Sequence, residues 1–232
     1  MNNPEDEIKG TGPGERESME LAKEWRKSRL LNSDFTIICN NCCGGLIYRL
    51  LGCELLSPTI DLIIPNQDFF TFCRNLKYYL PRAVERLSDV ELQQFPNADY
   101  PVGVIRGDNG MRDILIKFVH AKSFEEAVDK WNRRAKLVNH ENIFILMDVG
   151  EDEDEKLLDA FHDLPYKNKC IFTCIKDKER WPEIFNFDYY TKSQFCYGYM
   201  FKFRWKDNML TMVMDQFDFV EWLNSGRIQR CL

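Results

Sequence analysis

One segment, Phe35 to Leu51, constrains the fold of this chain more than any other. It reads FTIICNNCCGGLIYRLL: an apolar run rich in β-branched residues, then asparagines, cysteines and a glycine pair, then apolar residues at helical spacing. This order predicts a strand, a tight loop and a helix. In open α/β sheets such a loop lies at the carboxyl ends of the strands, where ligands bind. We therefore expect the ligand site at this loop.

Apolar runs and capped helices alternate along the rest of the chain. The predicted strands cover 35–39, 59–64, 101–106, 114–120, 142–147 and 169–174, with an edge strand at 197–204. The predicted helices cover 18–31, 46–51, 66–80 and 217–223, and two more open at Ser123 and after the acidic run 151–155. Asn66 is the expected N-cap of one helix, and Ser123 with Glu126 forms a capping box for another. The turn Gly107 to Gly110 predicts an antiparallel hairpin.

This alternation predicts a three-layer α/β/α fold whose sheet is mainly parallel or mixed, with an antiparallel hairpin. The chain has 232 residues, of which 44% are hydrophobic, enough for one substantial core. We expect residues 1–17 to form a disordered, charged tail and residues 18–232 to form a single domain.

Charge and apolar run length exclude two classes of protein. The formal net charge of -6 argues against a nucleic-acid-binding protein. No apolar run approaches the ~20 residues that a membrane span needs, and the N-terminus lacks the apolar core of a secretion signal. The expected location is the cytoplasm.

The nine cysteines are predicted to be reduced, since several lie in apolar strand-like runs and no export signal is present. Cys39 and Cys42 have CxxC spacing but no second ligand pair, so no metal site is predicted. Asp152-Glu153-Asp154 has the letters of a cation-binding Asp-x-Asp element. It opens a helix, however, and carboxylates there complement the helix dipole without any ligand.

The loop residues are the candidate ligand-binding residues. Asn40 and Asn41 carry amides suited to sugar hydroxyls or a nucleotide base, and Gly44 and Gly45 allow backbone amides to approach a phosphate. The alternative is structural: the glycines permit a sharp turn and close helix packing, while the asparagines cap the helix.

The candidate catalytic residues are Cys42, His120 and Asp108. Cys42 lies at a helix N-terminus, which lowers the pKa of a thiol and makes it a better nucleophile. His120, at the end of a predicted strand, is the candidate base, although a structural role is common for such a histidine. Asp108 lies in the hairpin turn, where ordinary turn chemistry also explains an aspartate. Arg133 and Arg134 are expected to face solvent, where either would be able to neutralise a phosphate.

Several segments together resemble an uncharacterised bacterial family associated with exopolysaccharide biosynthesis. They are CNNCCGGLIYRLLG, LLSPTIDLI, DFFTFCRNLKYYL, YPVGVI, FVHAKSFEEAVDKWNRRAKLVNHENIFIL and DLPYKNKCIFT, within 35–223. The family hallmark, an Asn-Asn-Cys loop with a glycine pair, is matched by Asn40, Asn41, Cys42, Gly44 and Gly45. The family commonly has Ser at the position of Cys39 and an aromatic residue at that of Cys43, which argues against a redox pair.

The resemblance implies a protein of surface-polysaccharide synthesis. The first hypothesis is a cytoplasmic sugar-transferring or sugar-modifying enzyme, resembling a glycosyltransferase, that binds a nucleotide-sugar at the loop. The second is a non-catalytic accessory protein that binds a glycan intermediate or a protein partner. The third is a hydrolase or transferase that uses Cys42 and His120. The sequence names no cofactor, sugar or oligomeric state.

Overall fold

A computed structural model describes residues 13–149, 154–173, 175–187, 203–206 and 209–231. Its helices are α1 (Pro13–Arg29), α2 (Cys43–Leu51), α3 (Asn66–Arg74), α4 (Leu76–Tyr79), α5 (Asp89–Leu92), α6 (Phe124–Ala135), α7 (Glu155–His162) and α8 (Phe219–Ser225). Its strands are β1 (Thr36–Cys39), β2 (Glu85–Arg86), β3 (Val102–Ile105), β4 (Ile114–Lys117), β5 (Ile143–Asp148), β6 (Asn168–Phe172), β7 (Ile184–Phe185), β8 (Phe203–Lys206) and β9 (Met209–Met212).

A parallel sheet with strand order β1-β5-β6-β7 forms the centre of the molecule. Alternate residues of its strands enter two separate cores. Ile37 and Phe144 pack on one face, with residues of α2 and α8, whereas Ile38 and Ile145 pack on the other, with residues of α3, α6 and α7. Burial on both faces explains the continuous apolar runs of these strands. The α/β fold with a parallel sheet is confirmed.

The predicted hairpin is present, but it belongs to a sheet of its own. Strands β3 and β4 pair antiparallel, and β2 joins them in a three-stranded sheet with order β2-β3-β4. A bridge between Ile63 and Lys117 connects this sheet to the segment that follows α2. That segment in turn contacts β1, because the amide of Ile64 donates to the carbonyl of Asn40 at 2.8 Å.

The predicted strand at 59–64 is wrong. Thr59 to Asp61 form a turn, and Asp61 has a left-handed backbone with φ of 65°. Only Ile63 pairs as in a strand, in its bridge to Lys117. The apolar residues of this segment are buried as predicted, but a short apolar run alone does not separate a strand from a buried turn.

The predicted helix at 66–80 is interrupted. Asn75, with φ of -127°, ends α3, and α4 starts at Leu76. Asn66 is the first residue of α3 rather than its N-cap, which is Pro65, and its side chain makes hydrogen bonds elsewhere. Helix α6 follows the prediction, with the Ser123 hydroxyl accepting from the amide of Glu126 at 3.2 Å.

Two predictions at the ends of the chain reach beyond the described residues. Helix α1 begins at Pro13, inside the segment predicted to be a disordered tail, while residues 1–12 lie outside the described part. The predicted edge strand at 197–204 also lies mostly outside it, although β8 covers Phe203–Lys206 and pairs antiparallel with β9.

Candidate functional site

The side chain of Asn40 connects the end of β1 to the end of β5 by hydrogen bonds. Its amide oxygen accepts from the backbone N–H of Asp148 at 2.9 Å, and its amide nitrogen donates to the carbonyl of Asp148 at 2.7 Å. The same nitrogen lies 3.0 Å from the side-chain oxygen of Asn66, whose own nitrogen donates to the carbonyl of Val149 at 2.8 Å. The side chain of Asn40 therefore joins two parallel strands and the start of α3 at the carboxyl edge of the sheet.

Asn41 continues this network into α2. Its amide nitrogen donates to a carboxylate oxygen of Asp148 at 2.9 Å, and its oxygen accepts from the amide of Cys43 at 2.9 Å. Asn41 is 7% exposed and Asp148 is 5% exposed. Both amide atoms thus have partners inside the protein, which gives the two asparagines a structural role. Their contact with a ligand stays a prediction.

The glycine pair lets α2 pack closely against its neighbours. A Cβ atom on Gly44 would lie 2.8 Å from Cβ of Cys39, in β1. A Cβ atom on Gly45 would lie 2.8 Å from Nη1 of Arg49 and 3.0 Å from Cγ2 of Ile60. Real Cβ atoms do not come within 3.0 Å of other atoms, so Gly44 is required for close packing against β1, whereas a side chain at Gly45 would displace the end of Arg49 and crowd Ile60. Phosphate binding by these glycines is untested.

The thiols around Cys42 lie in an environment that disfavours the thiolate. Cys39, Cys42 and Cys43 are fully buried. Burial raises the pKa of Cys39 to about 12 and raises that of Cys43 well above its usual value, in each case with a further contribution from the charge of Asp148. Nucleophilic attack by Cys42 remains a prediction, and nothing in this burial supports it.

Asp108 is held on the protein surface in the turn between β3 and β4. Its carboxylate accepts from the hydroxyl of Tyr78 at 2.6 Å and forms an ion pair with Arg82 at 2.5 Å. The hydrogen bond from Tyr78, followed by that from Arg82, lowers the pKa of Asp108. These contacts fix the turn, and a catalytic role for Asp108 is untested.

His120 lies in a narrow cleft beside α6, which we name the arginine cleft. The polar side chains that line this cleft are Asp61, His120, and Lys130, Trp131 and Arg134 of α6, and Arg49 of α2 reaches it through its pairing with Asp61. Asp61 accepts two hydrogen bonds from Nη2 of Arg49, at 2.7 and 2.9 Å. The left-handed backbone of Asp61 is part of the turn that presents its carboxylate to α2.

Arg134 is a largely buried cation that forms no ion pair of its own among the described residues. The residue is 6% exposed, and within the described ranges its side chain forms no hydrogen bond or ion pair. Burial lowers the pKa of Arg134, and the nearby charge of Asp61 opposes that shift. Asp61 is already paired with Arg49, so one carboxylate serves two guanidinium groups. A buried charge that lacks a partner is costly.

Other nitrogens of the arginine cleft are unpaired as well. In the described part of the chain, five buried side-chain nitrogen or oxygen atoms have no hydrogen-bond partner. Three of them belong to residues that line this cleft, His120 Nε2, Trp131 Nε1 and Arg134 Nε, and a fourth, Arg49 Nη1, belongs to the ion-pair partner of Asp61. All four can donate a hydrogen bond, provided that His120 carries its proton on Nε2. The unsatisfied donors are therefore concentrated at one place.

Burial and nearby charges of both signs shift the pKa of His120. Burial lowers its pKa, the charge of Asp61 raises it, and the charge of Arg49 lowers it. The imidazole is therefore mainly neutral at pH 7.

Arg134 was expected to face solvent, and this expectation is wrong. Arg133 is exposed, but Arg134 lies on the buried stripe of α6, with Ala127 and Trp131. Its spacing of three residues from Trp131 and seven from Ala127 is the signal that places it there. Arg49 and Asp61 were not predicted as site residues, because their pairing depends on a turn that the apolar pattern conceals.

Comparison with known proteins gives a family without an assigned activity. Residues 15–224 match the family described as a domain of unknown function (DUF1919). A protein of Haemophilus influenzae, described as uncharacterized, is 33% identical over 200 residues, which cover 84% of this chain and 87% of that protein. Within the described residues, the helices are too short or too polar to cross a membrane.

Proposed function

Because the chain belongs to the DUF1919 family, which has no assigned activity, we propose a function from the chemistry of the arginine cleft: it binds a phosphate-bearing sugar. The process we propose is surface-polysaccharide synthesis in the cytoplasm. This part of the proposal comes from the resemblance of the chain's segments to exopolysaccharide-associated proteins. The proposed ligands are intermediates of that synthesis, and the proposed activity is the transfer or modification of a sugar.

The observation that carries the proposal is Arg134, a largely buried cation whose Nε has no hydrogen-bond partner and whose guanidinium forms no ion pair among the described residues. Burying an unpaired charge is costly, and a bound anion reduces that cost. Arginine presents its N–H groups as a planar fork that fits the oxygens of phosphate and carboxylate groups. The cleft therefore has the chemistry of an oxyanion site whose counterion is supplied by a ligand.

His120 is the candidate catalytic residue within this proposal. Its neutral imidazole lies beside the position proposed for the anion, and a neutral imidazole can give or take a proton near pH 7. This favours an enzyme over the accessory protein. The fully buried Cys42 has no part in the proposal.

Replacing Arg134 with methionine tests the proposal, with the exposed neighbour Arg133 as the matched control. Melting temperature is measured with and without inorganic phosphate and glucose 1-phosphate. The wild type should melt at a higher temperature when either compound is present. Arg133→Met should respond in the same way.

Arg134→Met should lose that response. Without any ligand it should be more stable than the wild type, by about 1 kcal/mol or more, because an apolar side chain of similar size replaces an unpaired buried charge. A merely structural arginine would give the opposite sign. The proposal fails if neither compound affects the wild type, or if both raise the melting temperature of Arg134→Met equally.

A further inference from the structure

The structure assigns a narrower ligand class to the arginine cleft: the terminal phosphate monoester of a sugar phosphate, in preference to the internal diphosphate of a nucleotide-sugar. This inference rests on the proposed function, since it concerns the same cleft. Size, donor placement, charge and the character of the walls each support it.

The cleft is too small for more than one charged group. Its free volume is about 20 Å³, enough for one water molecule and much too little for a sugar ring. Lys130 also lines the cleft, where its side chain is 44% exposed and pairs with Glu126. Binding requires this side chain to move aside when a phosphoryl group enters. A terminal phosphate can enter such a cleft end-on. A diphosphate cannot, because both of its ends carry bulky groups.

The unpaired donors come from separate parts of the fold. Arg49 belongs to α2, His120 follows β4, and Trp131 and Arg134 belong to α6. The three unpaired donors on residues that line the cleft, His120 Nε2, Trp131 Nε1 and Arg134 Nε, match in number the three terminal oxygens of a monoester. A carboxylate has only two oxygens, and they lie in one plane.

The charges match an anion that carries up to two negative charges. Arg49 and Arg134 are positive, and Asp61 neutralises one of them. Lys130 at the rim is paired with Glu126 at 2.6 Å. One positive charge is left over, and protonation of His120 adds a second. A phosphate monoester carries between one and two negative charges near pH 7.

The remaining walls offer nothing to a second phosphate or a nucleobase. They are formed by the apolar residues Pro58, Ile60, Leu62, Phe118, Ala121 and Ala127. An apolar wall beside a second phosphate would leave that charge unpaired and desolvated. The rest of the ligand is therefore expected to extend away from the cleft into solvent.

Titration calorimetry with three probes tests this inference: glucose 1-phosphate, uridine diphosphate glucose and glucuronate. Glucose 1-phosphate should bind most tightly, with a Kd at least about tenfold lower than that of either other probe. Uridine diphosphate glucose and glucuronate should each bind more weakly because each makes at least one charge-assisted hydrogen bond fewer in the cleft. Arg134→Met and His120→Gln should each weaken its binding about tenfold or more, and Arg133→Met should leave it unchanged. Circular dichroism checks that each variant is folded.

The outcomes separate this inference from the proposed function. Tighter binding of uridine diphosphate glucose, if Arg134→Met abolishes it, would overturn the monoester inference and leave the proposed function standing. Tighter binding of glucuronate would also overturn the inference, in favour of a sugar acid. If no probe binds the wild type, both fail. Binding that is unaffected by Arg134→Met also contradicts both, because the ligand then lies elsewhere.

Discussion

Asn41 uses both atoms of its side-chain amide to join β5 to α2. Its nitrogen donates to Asp148, and its oxygen accepts from the amide of Cys43. A residue that is first suggested as a ligand contact thus acquires a different role once its partners are known. Arg134 changes role in the opposite sense. The sequence predicts that it faces solvent, but it is buried in the structure and becomes a candidate binding residue.

Asn41→Ala should therefore destabilise the protein by about 1–3 kcal/mol, since it removes a donor from a buried carboxylate and an acceptor from a buried amide. Urea unfolding measures this loss. Asn132→Ala is the control, because Asn132 is exposed on α6 and its replacement should change stability by less than about 0.5 kcal/mol. Equal stability of Asn41→Ala and the wild type would mean that its buried hydrogen bonds contribute little.

His120 links anion binding to pH. The groups that act on it are Asp61, which raises its pKa, and Arg49, which lowers it, in addition to its burial. Arg134 and Lys130 also line its cleft. Because the folded protein disfavours the charged imidazole, its contribution to stability is present above the unfolded pKa of about 6.5 and declines as pH falls. A bound anion favours the charged imidazole and therefore opposes this trend.

Sulfate should therefore raise the melting temperature more at pH 6 than at pH 7.5, since it keeps its charge across that range while His120 gains a proton. In His120→Gln the sulfate effect should be the same at both values. This variant also corrects for the general salting effect of sulfate. A wild-type response that is independent of pH would remove His120 from the anion site.

At the scale of elements, α2 packs so closely against β1 that Gly44 has no space for a side chain. A methyl group at Gly44 would lie 2.8 Å from Cβ of Cys39. Helix propensity alone predicts that alanine in a helix stabilises by about 1 kcal/mol relative to glycine. Crowding should outweigh this gain, because a shift of α2 would also disturb the buried contacts of Leu46 and Ile47.

Gly44→Ala should consequently lower the free energy of unfolding by about 1–3 kcal/mol. Chemical denaturation measures it, with circular dichroism to check that the helix content is kept. The sign of the change in the free energy of unfolding decides between helix propensity and crowding. A variant more stable than the wild type would show that α2 moves freely and that the close approach does not matter.

Sequence patterns located most elements because each carries its own local signal. Helix α6 has its serine cap and apolar stripe, and β5 has an apolar run that is buried on both faces. The turn at Asp61 is not predicted, because a short apolar run does not separate a strand from a buried turn. The arginine cleft is not predicted for another reason: Arg49 and Arg134 are 85 positions apart, and no local pattern relates them.

At the scale of the whole molecule, most of the described cysteines act as small apolar side chains. The seven described cysteines are free thiols, and five of them are buried: Cys39, Cys42, Cys43, Cys73 and Cys170. In denatured, non-reduced protein, nine thiols should therefore react with Ellman's reagent. In the native protein, at least the five buried thiols should remain unreacted. Rapid native reaction of all nine would show that these side chains are accessible.

The Ile63–Lys117 bridge has a mechanical consequence. Two backbone hydrogen bonds of 2.8 Å join β4 of the three-stranded sheet to the segment after α2, and their chain neighbours Leu62 and Phe118 line the arginine cleft. An anion held between His120, which follows β4, and Arg134 of α6 would strengthen this connection. Amide hydrogen exchange at Ile63 and Lys117 should slow when phosphate is added, although neither amide touches it. Slower exchange of these two amides would then report ligand binding at a place that the ligand does not touch.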